Sequence, residues 1–316
     1  MQKQLCIAVL VTDSVSIPIQ EKHGDMFDMF QKAFQQAAAI KATDEMDPQQ
    51  VALQFVRFDV VNHPPQYPSK DDLDAGKYDG IIITGSTKTA FDNEPWICRL
   101  EQFIQDLQEN HYDHQQNKLG LPSLDNLQLP IRRFKVPLLG VCFGHQIIAR
   151  ACGGVCQQNP NGWEFGPTLI QLTDEGQQFL QTKGKTSMRL NQFHRDHVPY
   201  LPPGFVRLAT TEPHTYIQAM MSTDGRCITS QGHPEINCGA TEMYLDQLES
   251  HIPQDLAMDT RIRLKTQASS MDSLWFAGRL LDFFLCRLPP PCSFNNDDPS
   301  VEEKQSEDQT VPSLIL

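Results

Sequence analysis

Val136-Pro137-Leu138-Leu139-Gly140-Val141-Cys142-Phe143-Gly144-His145-Gln146 reads as a buried strand that runs into a G-x-C-x-G turn and then into a helix. Such a turn presents Cys142 at a sharp corner of the main chain. Gly140 and Gly144 are needed because the turning backbone passes too close to its neighbours for side chains there. The helix is expected over residues 143–152, ending at Gly153-Gly154, and its positive N-terminal end favours a thiolate at Cys142. The competing reading of a cysteine is a small buried residue. That reading suits the other eight: Cys6 and Cys227 lie in apolar strand-like runs and Cys152 in the elbow helix, while Cys98, Cys156, Cys238, Cys286 and Cys292 lack a glycine frame.

A thiolate nucleophile needs a histidine that is near in space, though it can be far in sequence, and an acid or amide to orient it. Among ten histidines, His233 has the right setting. Arg226-Cys-Ile-Thr-Ser-Gln231 reads as a strand, preceded by the turn Ser222-Thr-Asp-Gly225, and it leads into Gly232-His233-Pro234-Glu235. A strand end aims His233 rigidly, and Glu235 can reach its far ring nitrogen. Alone, G-H-P-E would be an ordinary surface turn. After a strand, and downstream of an elbow cysteine, it is the candidate base with its orienter.

The pattern of Gly140, Cys142, Gly144, Gln146, His233 and Glu235 resembles the class I glutamine amidotransferase family, with its G-x-C-x-G-x-Q elbow and its His-x-Glu after the last core strand. The resemblance implies a flavodoxin-like doubly wound sheet in a three-layer α/β/α arrangement. It also implies a cysteine-dependent hydrolase or transferase that acts on a γ-glutamyl amide through a glutamyl thioester. Cys142 would be the nucleophile, His233 the general base and acid, and Glu235 its orienter. Tyr78-Asp-Gly-Ile-Ile-Ile-Thr84 followed by Gly85-Ser86 matches the family's oxyanion loop, whose N–H groups would act together with that of Phe143. Taken alone, Gly85-Ser86 is equally an ordinary strand-to-helix turn with Ser86 as a cap.

Gln146 resembles the family glutamine that holds the amino acid end of the substrate. Trp163-Glu164-Phe165-Gly166 resembles the Glu-x-Gly stretch, leading to a strand at residues 168–172, and His194 and Asp196 fall in a His-x-Asp-x-Val segment that lines the pocket. Gly85-Ser86 with the following Ala90-Phe91 and Trp96-Ile97 departs from the common Gly-Gly-Pro form and is similar to stand-alone γ-glutamyl peptidases. The alternatives are an ammonia-donating glutaminase subunit that depends on a separate synthetase, and a family member repurposed for another acyl transfer or for binding. The resemblance covers most of residues 5–240.

Strands at residues 5–11, 51–59, 80–84 and 138–141 alternate with helices at 26–39 and 96–109, which predicts a parallel sheet with helices on both faces. Ligands then bind at the carboxyl ends of the strands, where Gly85, Cys142 and His233 all fall. One catalytic domain over residues 1–288 is expected, with surface insertions at about 111–132 and 242–270, the second adding a helical cap. A helix over 274–286 closes it, burying Trp275, Phe276, Leu280, Leu281 and Phe284. His111 and His114, three apart without further ligands, read as solvated polar residues, so no metal is expected. Residues 289–316, with Pro289-Pro290-Pro291 and many acids, are expected to be a disordered tail.

With 316 residues, 40% of them hydrophobic, the chain can bury a sizeable core. Its net charge is −13, and no basic stripe offers a nucleic-acid surface. No apolar run reaches spanning length, no signal peptide is read at the N-terminus, and nine cysteines without framework spacing suit a reducing compartment. A cytoplasmic protein is expected. No P-loop or Gly-rich nucleotide motif appears, so no cofactor is expected, and any amination would need a second protein. The partners expected are a small glutamine or γ-glutamyl substrate and, where transfer occurs, a separate acceptor.

Overall fold

A computed structural model describes residues 3–43, 51–111 and 131–288. The first part of the chain runs β1 (Lys3–Val11), α1 (Ile17–His23), α2 (Met26–Ala42), β2 (Val51–Asp59), α3 (Lys70–Asp74), β3 (Gly80–Ile83), α4 (Pro95–Asp106), β4 (Gln108–His111), β5 (Ile131–Phe134), β6 (Leu138–Val141) and α5 (Phe143–Ala151). The remainder runs β7 (Gln157–Gln158), β8 (Glu164–Leu172), α6 (Asp174–Phe179), β9 (Ser187–His194), β10 (Asp196–His197), β11 (Phe205–Thr210), β12 (Ala219–Ser222), β13 (Cys227–Ser230), α7 (Cys238–Leu248), α8 (Gln254–Gln267) and α9 (Ser273–Phe284).

Among the described residues, nine strands form one sheet in the order β2-β1-β3-β6-β13-β12-β11-β8-β9. Its first five strands are parallel. The rest pair antiparallel, β13 with β12, β12 with β11, β11 with β8 and β8 with β9. The strands from which a parallel sheet was expected do pair parallel, and the antiparallel strands beyond them make the whole sheet mixed. β3, β6 and β13 are buried at every residue, as strands covered on both faces must be.

Alternate residues of β1 feed two cores. Leu5, Ile7 and Val9 pack with Phe30 and Phe34 of α2 and with Phe276, Leu280 and Phe284 of α9. Ala8 and Leu10 face the other way, toward Ile97, Leu100 and Ile104 of α4 and Ile147 and Ile148 of α5. A sheet with helices on both faces results, the three-layer arrangement expected.

α2 begins at a capping box, in which the Asp25 carboxylate accepts from the Asp28 N–H and the Asp28 carboxylate from the Asp25 N–H. It buries Met26, Met29, Phe30, Ala33, Phe34 and Ala37, one helical face.

The helix expected up to residue 109 stops at Asp106, because β4 pairs antiparallel with β5. Of the insertion expected at 111–132, residues 112–130 lie outside the described residues, as does the expected tail. Residues 242–270 are helical, in α7 and α8. Gln247 of α7 donates to Ser16, just beyond the carboxyl end of β1, and α8 packs on β8 through Leu264, Ala257 and Phe165.

Candidate active site

Three neighbouring strands, β3, β6 and β13, deliver Gly85, Cys142 and His233 to one end of the sheet. Cys142 takes φ 55° and ψ −106°, a region that non-glycine residues seldom occupy. Its N–H donates to the Ser230 carbonyl at 2.8 Å and its carbonyl accepts from the Gln146 N–H at 3.1 Å, which over-determines the strained turn. A Cβ on Gly140 would lie 2.4 Å from the Gly144 carbonyl oxygen, and one on Gly144 would lie 2.3 Å from that of Ile83. Both glycines are fixed by close approach, as the sequence predicted.

A Cβ on Gly85 would stand 2.9 Å from His233 Cε1 and 3.5 Å from Cys142 Cβ. The His233 ring and Cys142 therefore converge on Gly85, which lacks a side chain because His233 takes its place. His233 is buried, and its N–H donates to the Asn191 carbonyl. Its Nδ1 meets Glu235 Oε1 at 2.6 Å. Phe193 packs edge-on against the ring, with centroids 5.1 Å apart, and Tyr244 of α7 packs in turn on Phe193. The helical segment thus backs the His233 ring. Burial works against the charged imidazolium, but the Glu235 carboxylate and the Cys142 sulfur outweigh it and push the His233 pKa up to about 10. His233 consequently carries its proton at neutral pH. Burial instead raises the thiols of Cys6, Cys156, Cys227 and Cys238, which suits their packing role.

The remaining residues singled out in the sequence are also drawn in. Gln146 is buried, and its Nε2 donates to the Asp196 carbonyl and to Gln231 Oε1. His194 lies between Glu164, whose Oε2 is 2.9 Å from Nε2, and the Asp196 carbonyl, 3.0 Å from Nδ1. Both its ring nitrogens are therefore used within the protein, and it holds the segment that carries Asp196. Burial raises the pKa of the Asp196 carboxyl, which accepts from Thr89 Oγ1. His145 meets Thr229 Oγ1 at 2.7 Å, and burial holds its pKa down to about 3, so it is neutral. Ser86 is tied to Asp13 by its hydroxyl.

Thr12 and Asp13, which follow the strand read at residues 5–11 and were given no role, also reach this end of the sheet: Thr12 Oγ1 donates to the Gly85 carbonyl and Asp13 accepts from Ser86. Their position just past a carboxyl strand end was the available signal. No group of three or more metal-ligating side chains occurs among the described residues, and no helix there is long and apolar enough to cross a membrane.

The family model for class I glutamine amidotransferases matches residues 123–248. A glutamine amidotransferase-like protein of Schizosaccharomyces pombe is 31% identical over 231 residues, covering 73% of this chain and 79% of its own. This chain belongs to the class I glutamine amidotransferase family. γ-Glutamyl peptidase 3 of Arabidopsis thaliana is 31% identical over 176 residues, 54% of this chain and 59% of its own. A crystal structure of a glutamine amidotransferase from Thermotoga maritima shares the fold, with a TM-score of 0.55 and 18% identity over 87% of this chain and 98% of that one.

Proposed function

We propose that this chain hydrolyses or transfers γ-glutamyl groups by itself, through a thioester on Cys142. The observation that carries this reading is the meeting of a strained Cys142 with the His233–Glu235 pair over Gly85. Cys142 attacks the γ-carbonyl, and backbone N–H groups of the Gly85-Ser86 loop and of Phe143 hold the oxyanion. His233 protonates the departing nitrogen, leaving a glutamyl thioester. Acylation removes the negative charge from sulfur, one of the influences that keeps His233 protonated. The ring is then free to take a proton from water or from an acceptor amine, so the role change of His233 follows from the charge of its neighbour. Gln146, His194 and Asp196 shape the part of the pocket that receives the amino acid end of the substrate. The similarity to a γ-glutamyl peptidase favours independent hydrolysis over service to a synthetase.

The test is to incubate the purified chain alone with glutamine and with γ-glutamyl thiol conjugates, with Cys142→Ala as control. Glutamate release from the conjugates, lost in the variant, is expected. Release only after a synthetase is added, or equal release by the variant, would count against the proposal.

A further inference from the structure

Thr12 and Thr84 end adjacent parallel strands, and both are buried, at 1% and 0% exposure. Close contacts join the two threonines to each other and to Gly85, and Thr12 Oγ1 also lies 3.2 Å from the Thr84 carbonyl and Thr84 Oγ1 3.3 Å from that of Gly85. The Thr12 N–H donates to Thr84 Oγ1 at 3.1 Å, the two hydroxyls are 2.9 Å apart, and Thr12 Oγ1 donates to the Gly85 carbonyl at 2.8 Å. Each hydroxyl has one proton, and one assignment uses the three shortest of these contacts. Thr84 accepts from the Thr12 N–H and gives its own proton to Thr12 Oγ1, which then donates to Gly85. The result is a one-way chain of hydrogen bonds, shielded from water, that ends on the carbonyl of the Gly85-Ser86 peptide.

A trans peptide directs its N–H opposite to its carbonyl. Holding the Gly85 carbonyl toward Thr12 therefore fixes the direction of the Ser86 N–H, and a donor on that carbonyl makes the same N–H a stronger donor. The next peptide is pinned too, because Asp13 Oδ2 accepts from the Thr87 N–H at 2.6 Å, from Thr87 Oγ1 at 2.7 Å and from Ser86 Oγ at 3.2 Å. The Ser86 N–H itself meets no acceptor among the described residues. Behind the loop, Arg150 of α5 donates to the carbonyls of Ala90 and Asp92, tying the same segment to the nucleophile helix.

We propose that Thr12 is a positioning residue for acyl transfer: through Thr84 and Gly85 it orients and polarises the Gly85-Ser86 peptide, so that the Ser86 N–H is a preset donor to the oxyanion. The alternative is that these hydroxyls only pin β1 to β3. The inference rests on acyl transfer at Cys142 but not on the glutamyl group, which sets the design of the test.

Thr12→Val keeps the shape and deletes the hydroxyl, whereas Thr12→Ser keeps the hydroxyl. Both are assayed with γ-glutamyl-p-nitroanilide and with p-nitrophenyl acetate, and the rate of Cys142 alkylation by iodoacetamide, a displacement without an oxyanion, is measured alongside. Thr12→Val is expected to lower kcat about 10- to 100-fold on acyl substrates, short of the roughly 10²- to 10³-fold cost of deleting a donor outright. KM and the alkylation rate should stay within about twofold, and Thr12→Ser should restore kcat. Thr84→Val, which breaks the middle link, is read in the same way and serves where Thr12→Val does not fold.

Unchanged kcat in the folded Val variants, a parallel fall in alkylation rate, or failure of Ser to rescue would each overturn the proposal. A native chain that turns over the acetate but not the anilide overturns the glutamyl reading alone, and Thr12 is then judged on the acetate. Absence of Cys142-dependent turnover on both substrates overturns both.

Discussion

Among the described residues the Glu235 carboxylate accepts one hydrogen bond, at Oε1 from His233 Nδ1, and its other oxygen is buried without a partner. This carboxylate is one of the influences that raise the His233 pKa. Glu235→Gln keeps the size and removes the charge, so the His233 pKa falls toward its ordinary value near 6.5. Because His233 must be protonated to expel the amine, activity is lost as pH rises through its pKa, near 10 in the native chain. In the Gln variant the alkaline limb of the kcat/KM profile should move to lower pH, with kcat down about 10²- to 10⁴-fold. A pH–rate profile with an unmoved limb would show that Glu235 does not set the base. The triad candidates were legible in the sequence because each answers to a local backbone need: two glycines around a turning cysteine, and a histidine two residues from its acid after a strand. Thr12 was not, since its role needs β1 and β3 side by side across 72 positions of sequence.

At the scale of elements, α9 shares a core with α2 and is also tied to it through a buried carboxylate. Asp282 is only 5% exposed, and its oxygens lie 2.7 Å from Lys41, 2.7 Å from Arg279 and 3.7 Å from Arg287. Asp282→Ala leaves three cations facing one another at this seam and should cost about 2–4 kcal/mol, read as a lower midpoint in urea with activity per folded molecule kept. A midpoint shift below about 0.5 kcal/mol equivalent would mean that the cations relax into solvent.

The elements that the sequence concealed have physical reasons. β8 was read only from residue 168 because Gly166, at φ 76°, and Pro167 look like a turn, yet the backbone there lies under α8, where a Cβ on Gly166 would meet Thr260 at 2.5 Å. α1 has Pro18 near its start, leaves Ile17 70% exposed and buries only Ile19, so it shows no helical apolar stripe. The fully apolar strands β3 and β6 were legible because both faces are covered. The antiparallel half of the sheet was not, because its pairing depends on register between distant strands.

Across the whole molecule, the two cores on opposite faces of the sheet hold β3, β6 and β13 in a fixed lateral order, and this order brings residues 85, 142 and 233 to one end. We take the expected catalytic domain, residues 1–288, as the unit that carries the chemistry. Reading alternation of strands and helices gave the layers and the end of the sheet where the site lies, while the mixed character of the sheet came only from its pairing. The measurement that bears most directly on that site is intact-protein and peptide mass spectrometry of the purified chain, acid-quenched during turnover of a γ-glutamyl amide. Expected is one added glutamyl group on the peptide that carries Cys142, labile to hydroxylamine and absent in Cys142→Ser. A glutamyl adduct on another residue, or steady turnover by a Cys142→Ala chain, would contradict the assignment of Cys142 as nucleophile.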